Sequence, residues 1–312
     1  MGILGSVLDR THPKLLVLGG SGFLGAHVVR QAVGAGFEVT NACRQPEATP
    51  GSARGRAREV AMDLVRGFDS LPTWLDECQP EAIINCAALS RAAACERDLD
   101  LARLLNARIP GVLASWSEER GVRLVHVSTD LVFGGEPSRA QGYSEEDEPA
   151  PMGRYASTKL SGESSVSHVA SVARLPLLYG SSDGRGLGAS DSVIAAVERG
   201  ETPSLFSDEL RTPLDVEEAA AALLELAGTD HAGILHVAGP RSLSRLELGI
   251  LALRSTGRSE EEATRLVRAC LQAEVDAGAP RPRDVSLDSS RARSLLQTRL
   301  SAPEERLRPP TG

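Results

Sequence analysis

The sequence predicts an α/β fold: a doubly wound parallel sheet followed by a smaller C-terminal lobe. Short apolar runs alternate with longer segments of helical periodicity along the first half of the chain. This alternation is typical of a parallel sheet whose crossover connections are helices. A glycine-rich turn stands directly between the first apolar run and the first helical segment. The length of 312 residues exceeds what one small core requires and indicates two lobes.

The composition excludes several classes of protein. A net charge of −8 and a pI near 5.4 argue against nucleic-acid binding as the main function. No apolar run approaches the roughly 18 residues of a membrane span, so we expect no membrane insertion. The five cysteines lack CxxC spacing and the six histidines form no HxxxH or HExxH pattern, so we expect no metal site. Cysteines interpreted as reduced indicate a cytoplasmic protein.

The glycine-rich turn is the first functional signal. A short strand over Lys14–Leu18 leads into residues 19–25 (GGSGFLG), and a helical pattern follows at once. Strand, glycine turn and helix in this order indicate a Rossmann-like dinucleotide site. The first glycine permits the tight turn, the second lets the backbone approach a pyrophosphate, and the third packs helix against strand. The helix N-terminus then offers N–H groups to the phosphates. The predicted contacts are Gly19, Gly22, Phe23, Leu24 and Gly25.

The next two predicted strands concern the adenosine end of the cofactor. Residues 37–43 form the second strand, and Cys43 with Arg44 stand where an NAD-binding fold usually places an acid. A guanidinium suits a 2′-phosphate, so NADP(H) is favoured over NAD(H); a solvated arginine is the alternative. The third strand, residues 59–64, brings Asp63 and Leu64 to the site. Asp63 would meet the adenine or cap the helix that follows.

The later strands bring further residues to the same edge of the sheet. The fourth ends in Ala87 and Ala88, whose small side chains would let a cofactor lie against the strand end. The fifth leads directly into Thr129 and Asp130. Ligands of open α/β sheets bind outside the carboxyl ends of the strands, so these residues are expected beside the glycine turn. The three strands cover residues 81–88, 122–127 and 171–175.

Tyr155 and Lys159 form a pair between the fifth and sixth strands. Their i, i+4 spacing puts both side chains on one face of a helix. The reference pKa of a phenol lies near 10, and an ammonium one turn away favours the phenolate. Alone, the spacing is weak evidence and fits a surface pair. At the mouth of a dinucleotide site it predicts a catalytic pair.

Together these segments resemble the extended branch of the short-chain dehydrogenase/reductase superfamily, and within it the dTDP-4-dehydrorhamnose reductases. The resemblance rests on residues 19–25, 85–88 (NCAA), 128–130 (STD), 155–159 (YASTK) and 281–288 (RPRDVSLD), and it extends from Lys14 to about Leu296. It implies that Tyr155 donates a proton to the substrate carbonyl and that Thr129 hydrogen-bonds the carbonyl oxygen. Lys159 would bind the nicotinamide ribose and lower the tyrosine pKa.

The departures from the wider branch favour simple ketone reduction. Asp130 is followed by Leu131, so the second carboxylate of the dehydratases is missing. Epimerases of the branch keep NAD bound, which the Arg44 interpretation disfavours. The expected activity is therefore NADPH-dependent reduction of a keto group on a nucleotide-linked deoxysugar. Two alternatives stay open: a non-catalytic NADP-binding regulatory subunit, similar to that of methionine adenosyltransferase, and a reductase of a non-sugar ketone.

The resemblance also suggests substrate residues and lobes. Arg211 would meet the substrate diphosphate, or would form a structural ion pair; Arg281 and Arg283 would line the same pocket as Arg211, or belong to a solvated loop. Asp130 completes the predicted substrate set, and a homodimer is left open. We expect the nucleotide-binding domain over 13–175, with 213–230 returning to it, and the substrate lobe over 176–212 and 231–300. Residues 260–276 are predicted as one amphipathic helix, and 1–12 and 301–312 as loosely held termini.

Overall fold

The computed structural model describes residues 13–46, 49, 57–136, 141–275 and 279–309. The expected loose leader, residues 1–12, therefore lies outside the described residues. The strands are β1 (Lys14–Leu18), β2 (Glu38–Cys43), β3 (Arg58–Ala61), β4 (Ala82–Asn85), β5 (Arg123–Thr129), β6 (Ser171–Leu175), β7 (Leu178–Tyr179), β8 (Ser204–Phe206), β9 (Leu210–Arg211), β10 (Leu214–Asp215), β11 (Gly233–His236), β12 (Leu243–Ser244) and β13 (Arg268–Cys270).

The main sheet confirms the predicted fold class. Its strands follow the order β3-β2-β1-β4-β5-β6-β11, and every pairing between them is parallel. Leu15 lies opposite Val39 of β2 on one side and Ala82 of β4 on the other. The direction of winding reverses between β1 and β4. A doubly wound sheet binds its ligands in the crevice at this reversal.

The helices are α1 (Phe23–Gly34), α2 (Leu71–Cys78), α3 (Ala92–Arg97), α4 (Leu99–Arg103), α5 (Ile109–Arg120), α6 (Arg154–Val166), α7 (Ala189–Glu198), α8 (Val216–Ala227), α9 (Arg245–Arg254), α10 (Glu260–Arg265), α11 (Ser290–Leu295) and α12 (Pro303–Arg306). Single 3-10 turns cover Asp130–Val132 and Gln272–Glu274. Among the described residues, no helix combines the length and the apolar character that crossing a membrane requires.

Two apolar layers cover the faces of the sheet. Because successive strand side chains point to opposite faces, Leu15 and Val17 of β1 pack with α1 and α8, whereas Leu16 and Leu18 pack with α2 and α5. Each of these four leucine or valine side chains is at most 1% exposed. The fully buried apolar run of β1 is therefore explained by a helix layer on each side.

The helical stretch around Pro110 contains a π-helical turn. This turn, Leu104–Arg108, runs without a break from α4 into α5, and Pro110 is the second residue of α5. Within the π turn, Asn106 accepts a hydrogen bond from the Leu89 backbone (2.8 Å) and donates one to the Thr158 hydroxyl (3.1 Å). Asn106 thus joins the segment after β4 to α6.

The second lobe has its own apolar core. Helices α7 and α9 pack together, and β8 pairs in parallel with β13 beside them. Val193, Leu205 and Leu253 lie at the centre of this cluster. Ser244 and Glu247 form the capping box that begins α9.

One strand lies in a different lobe from the one expected. Gly233–His236 falls in the range assigned to the substrate lobe, yet it is the edge strand of the main sheet, with Ile234 opposite Val172 of β6. Its partner is about 60 residues away in sequence. The periodicity of a four-residue strand carries no information about such a partner.

The predicted helix over residues 260–276 is wrong beyond Arg265. Helix α10 ends there, and Arg268–Cys270 pairs with β8 instead. Pairing with β8 gives the backbone groups of this segment the hydrogen bonds that a helix would have supplied within the segment itself. Asp276 lies outside the described residues.

The expectation of a loose tail is wrong for residues 301–309. The Ser301 backbone donates to Glu218 (2.7 Å), and the Arg306 guanidinium lies 3.3 Å from Asp215. Both carboxylates belong to the start of α8 or its cap. The tail is held by charges that composition alone does not reveal. Residues 310–312 lie outside the described part of the chain.

Candidate active site

A cavity of about 540 Å³ opens at the carboxyl ends of β1, β2 and β4. Every residue predicted to contact the cofactor, from Gly19 in the glycine turn to Lys159 in α6, lines this cavity. Cys86 and Leu187 lie among the further lining residues. The cavity therefore occupies the crevice at the point where the winding reverses.

The glycines of the turn are required by close contacts. A Cβ on Gly25 would lie 2.3 Å from the Gly19 carbonyl oxygen, so helix α1 can approach the turn only through a glycine. Gly19 has a φ of +82°, and a Cβ there would lie 2.9 Å from the Ala87 nitrogen. The turn consequently brings the start of α1 and the end of β4 against the cavity, with the first N–H groups of the helix free of intrahelical partners.

At the far end of the cavity, Cys43 is buried and Arg44 is exposed. Both line the cavity, as do Asp63 and Leu64. The Asp63 carboxylate accepts hydrogen bonds from the backbone of Val65 (2.9 Å) and Arg66 (3.3 Å), so it caps the turn after β3. The predicted cap of the following helix is therefore not formed by Asp63, since α2 begins at Leu71 after Ser70, and the contact with the adenine stays a prediction. Arg44 is the cation at this end of the lining.

Helix α6 presents its reactive side chains on one line. Tyr155, Lys159 and Glu163 follow one another at intervals of four residues. Gly162 on the neighbouring face lets α6 touch the π turn, because a Cβ there would lie 2.1 Å from the Asn106 carbonyl oxygen. Helix α6 can therefore pack directly against the π turn only through a glycine at this position.

The phenol of Tyr155 is protonated at neutral pH. Its pKa is raised to about 12, chiefly by burial; a hydrogen bond with Thr129 opposes the rise and the carboxylate of Asp130 contributes to it. The Arg211 charge acts in the lowering direction. A protonated phenol is the form required of a proton donor. The lowering of this pKa by Lys159, implied by the resemblance, stays a prediction.

Lys159 is turned towards the sheet. Its Nζ donates to the Val127 carbonyl (2.6 Å) and lies 3.3 Å from Nε2 of His126. Burial lowers the pKa of Lys159 to about 8, and the charge of Glu163 opposes this fall. Lys159 is only 2% exposed, so its charge is stabilised by a few fixed partners.

A buried ion pair lies beneath Lys159. The Arg174 guanidinium donates to both carboxylate oxygens of Glu163, at 3.0 and 2.7 Å. The Ser128 hydroxyl donates to the same carboxylate at 2.5 Å. These contacts join α6 to β5 and β6, directly below the catalytic candidates.

A second cavity of about 370 Å³ adjoins the first on the side of the smaller lobe. Thr129, Asp130 and Arg211 line it, as predicted for the substrate. Tyr155 lines both cavities. The phenol therefore stands at the junction between the expected cofactor and substrate positions.

Of the two roles considered for Arg211, the structure shows the ion pair, and the contact with a diphosphate stays a prediction. Its Nη1 lies 2.6 Å from Asp130 and its Nε 3.7 Å from Glu209, so it is a structural ion pair. It also lines the second cavity, and its Nε is buried without a hydrogen bond to any described residue. A buried guanidinium with a spare donor is a suitable partner for an anion.

Arg281 and Arg283 are placed differently from the expectation. Both are exposed. Among the described residues that line the cavity around Arg211, neither is present. Arg281 lies 3.1 Å from Glu209 and over the ring of Phe206. Its link to the cavity therefore runs through Glu209, which also faces Arg211.

Arg245 is the site residue that the sequence reasoning missed. It is the first residue of α9 and lines the second cavity with Arg211. Burial lowers its pKa; Glu209 acts against that fall, and the charges of Arg211 and Arg281 add to it. Among the described residues, no hydrogen bond or ion pair of its guanidinium is found. The only signal in the sequence was its position directly after the cap Ser244.

The sequence matches the model of the RmlD substrate binding domain over residues 13–309. The chain belongs to this family. The predicted resemblance to the dTDP-4-dehydrorhamnose reductases, and through them to the extended short-chain dehydrogenases/reductases, is thereby confirmed.

Two reductases are among the relatives of this chain. The probable low-salt glycan biosynthesis reductase Agl14 of Haloferax volcanii is 31% identical over 90% of this chain and 91% of its own length. The dTDP-4-dehydrorhamnose reductase of Mycobacterium tuberculosis is 30% identical over 93% of each chain. The methionine adenosyltransferase 2 subunit beta of Rattus norvegicus is 27% identical over 90% of this chain and 82% of its own.

Solved structures show the same fold. The dTDP-4-dehydrorhamnose reductase of Bacillus anthracis, determined in complex with NADP, aligns with a TM-score of 0.80. Its sequence identity is 23%, and the alignment covers 95% of this chain and 97% of the other. The RmlD family fold therefore extends over nearly the whole of both chains.

Proposed function

We propose that this protein is an NADPH-dependent reductase of a keto group on a nucleotide-linked deoxysugar. The observation that carries the proposal is the position of Tyr155, whose protonated phenol borders both the cofactor cavity and the substrate cavity. Support comes from the two reductase relatives, one of which is named for a dTDP-linked sugar.

The cofactor cavity is compatible with NADPH. The glycine turn leaves room for a pyrophosphate at the start of α1, and Arg44 stands where a 2′-phosphate would be met. The NADP complex of the Bacillus anthracis enzyme concerns a protein of the same fold. When bound, NADPH supplies the hydride that a ketone requires.

The residues of this chain supply the proton and the orientation. Tyr155 donates its phenolic proton to the carbonyl oxygen as negative charge develops there. Thr129, 7% exposed at the end of β5, holds that oxygen by a hydrogen bond. Lys159 meets the ribose side of the cavity and favours the phenolate that Tyr155 leaves after donation.

The substrate cavity favours a phosphorylated ligand. Arg211 and Arg245 line it, and Arg281 stands behind Glu209, so three arginines face the two carboxylates of Asp130 and Glu209. The excess positive charge is partly removed from water and is stabilised by an anion such as a diphosphate. We propose Arg211 and Arg245 as the groups that bind it, with Asp130 holding Arg211 in position.

Replacement of Tyr155 by Phe tests the catalytic assignment. The variant should bind NADPH as the wild type does and lose ketone-dependent NADPH oxidation, because only the proton donor is removed. Tyr143→Phe is the matched control, since its hydroxyl bonds the Glu136 backbone and does not line either cavity. Unchanged turnover of Tyr155→Phe would refute the assignment.

A regulatory role is the second candidate, favoured by the similarity to the methionine adenosyltransferase subunit. It predicts a stoichiometric complex with a purified methionine adenosyltransferase catalytic subunit, and no oxidoreductase activity on a panel of keto sugars. Light scattering during gel filtration measures the first, and NADPH oxidation the second.

A reductase of a non-sugar ketone is the third candidate. dTDP or UDP at millimolar concentration should raise the melting temperature if the second cavity accepts a nucleotide sugar. The same measurement with Arg245→Met shows whether the nucleotide binds in that cavity. Absence of any shift with the wild type would favour the non-sugar ketone.

A further inference from the structure

A chain of four polar contacts lies on the buried side of Lys159. The Ala87 N–H donates to Oδ1 of Asn85 (3.1 Å), and Nδ2 of Asn85 lies 3.2 Å from Nδ1 of His126. Nε2 of His126 lies 3.3 Å from Nζ of Lys159, which donates to the Val127 carbonyl (2.6 Å). Asn85 and His126 are both fully buried, so water does not compete for these contacts.

The backbone at Ala87 sets the direction of this chain. An N–H can only donate, so the Asn85 oxygen accepts, and the amide NH2 of Asn85 faces His126. Nδ1 of His126 must then accept, and a neutral imidazole carries its proton on Nε2. That proton points at Lys159, whose nitrogen can accept it only as a neutral amine.

The ammonium form of Lys159 requires the reverse arrangement. An ammonium has three donors and no acceptor, so Nε2 of His126 must accept from it. The imidazole proton is then on Nδ1 and needs an acceptor. The Asn85 oxygen becomes that acceptor when the side-chain amide flips. The Ala87 N–H loses that acceptor as a result.

We propose that His126 is a positioning residue for Lys159 that alternates between two neutral tautomers. The Nε2–H tautomer accompanies the amine, and the Nδ1–H tautomer accompanies the ammonium. Because Ala87 lines the cofactor cavity, the charge of Lys159 also decides whether the Ala87 N–H is occupied by Asn85 or is available at that edge of the cavity.

The neighbouring groups leave Lys159 as the one that titrates in this cluster. Burial and the Lys159 charge keep the pKa of His126 well below its usual value, so the ring stays neutral in both states. The pKa values of Cys86 and Tyr155 are each raised to about 12 by burial. Glu163 is held in its ion pair with Arg174. The pKa of Lys159, about 8, makes both of its forms accessible near neutral pH.

The tautomer exchange does not depend on the proposed reductase function; only its consequence for catalysis does. During reduction Lys159 must be an ammonium to favour the Tyr155 phenolate. His126 accepts a charge-assisted hydrogen bond from the ammonium and donates a weaker, neutral one to the amine. Removal of His126 therefore lowers the pKa of Lys159 by the difference between the two. The alkaline limb of a pH–rate profile should follow.

Nuclear magnetic resonance of the wild-type protein tests the exchange directly. Lysines labelled at Cε give two signals, since Lys14 and Lys159 are the only lysines of the sequence, and Lys14→Arg assigns them. Histidine ring nitrogens report the tautomer, and His126→Gln assigns the ring. As pH rises through the Lys159 midpoint, expected near 8, the protonated nitrogen of His126 should change from Nδ1 to Nε2 with the same midpoint.

Two variants extend the measurement. Lys159→Arg does not titrate in this range, so the Nδ1–H tautomer should persist at every pH. His126→Phe should move the alkaline limb of kcat/KM down by about 1 pH unit, the difference between a charged and a neutral hydrogen bond, and His126→Gln, which keeps an acceptor and a donor, by less. A His126 tautomer that stays constant while Lys159 titrates, or a His126 imidazolium near neutral pH, would overturn the proposal. If no ketone is reduced, the proposed function is refuted, and the tautomer measurement still tests the proposal for His126.

Discussion

The buried pair between Glu163 and Arg174 offers a test of how α6 is held in place. The side chains of the two residues are 2% and 3% exposed, and the guanidinium donates to both carboxylate oxygens. In Glu163→Gln the shape of the side chain is kept and its charge is removed. Arg174 is then left as a buried cation without a counter-charge.

The expected cost is large for a single isosteric change. Removing one partner of a buried ion pair costs about 3–5 kcal/mol, because the remaining charge is desolvated and unpaired. At about 2–4 °C per kcal/mol for a chain of this size, the melting temperature should fall by about 6–20 °C. The hydrogen bond from Ser128 to the same carboxylate oxygen is weakened as well.

Urea denaturation followed by circular dichroism measures the effect through the midpoint at constant slope. Glu201→Gln is the matched control, since Glu201 pairs with Arg199 at the surface and should leave the midpoint unchanged. The double variant Glu163→Met, Arg174→Met should recover most of the loss, because both charges are removed together. A Glu163→Gln protein as stable as the wild type would refute this account of α6.

Three further outcomes are expected at the two cavities. Arg44→Ala should raise the KM for NADPH much more than the KM for NADH. Equal effects on both would contradict the proposal that Arg44 binds the 2′-phosphate. Gly25→Ala should abolish NADPH binding in a fluorescence titration, whereas Gly34→Ala, which has open space around its Cβ position, should not. Arg245→Met should raise the KM of a nucleotide-sugar substrate about 10- to 100-fold with little change in kcat, while Arg254→Met at the other end of α9 should change neither; a loss confined to kcat would contradict a binding role for Arg245.

Several features of the fold were predictable because their causes are local. The strand β1 follows from an apolar run of four residues, 15–18, after Lys14. The turn after it follows from glycines at positions where a Cβ would be too close to the backbone. The order of strands and helices then places Thr129 and Tyr155 at one edge of the sheet. For these residues the local pattern and the tertiary structure agree.

Other features depend on partners that are distant in sequence. Gly233–His236 joins the main sheet because β6 offers a free edge, and the segment after Arg265 becomes a strand because β8 does. The pattern of each segment is compatible with more than one partner. The free energy of pairing with a remote strand selects the partner, and a short stretch of sequence carries no information about that energy.

The same division applies to the site. The sequence alone determined which residues could carry the chemistry, since the spacing of Tyr155 and Lys159 is a property of any helix that contains them. Only the tertiary structure decided that Arg245 lines the second cavity, that Arg211 is held by Asp130, and that Lys159 contacts His126. Charged side chains are long and flexible, and their partners are selected by burial and by the charges of other elements rather than by their neighbours in sequence.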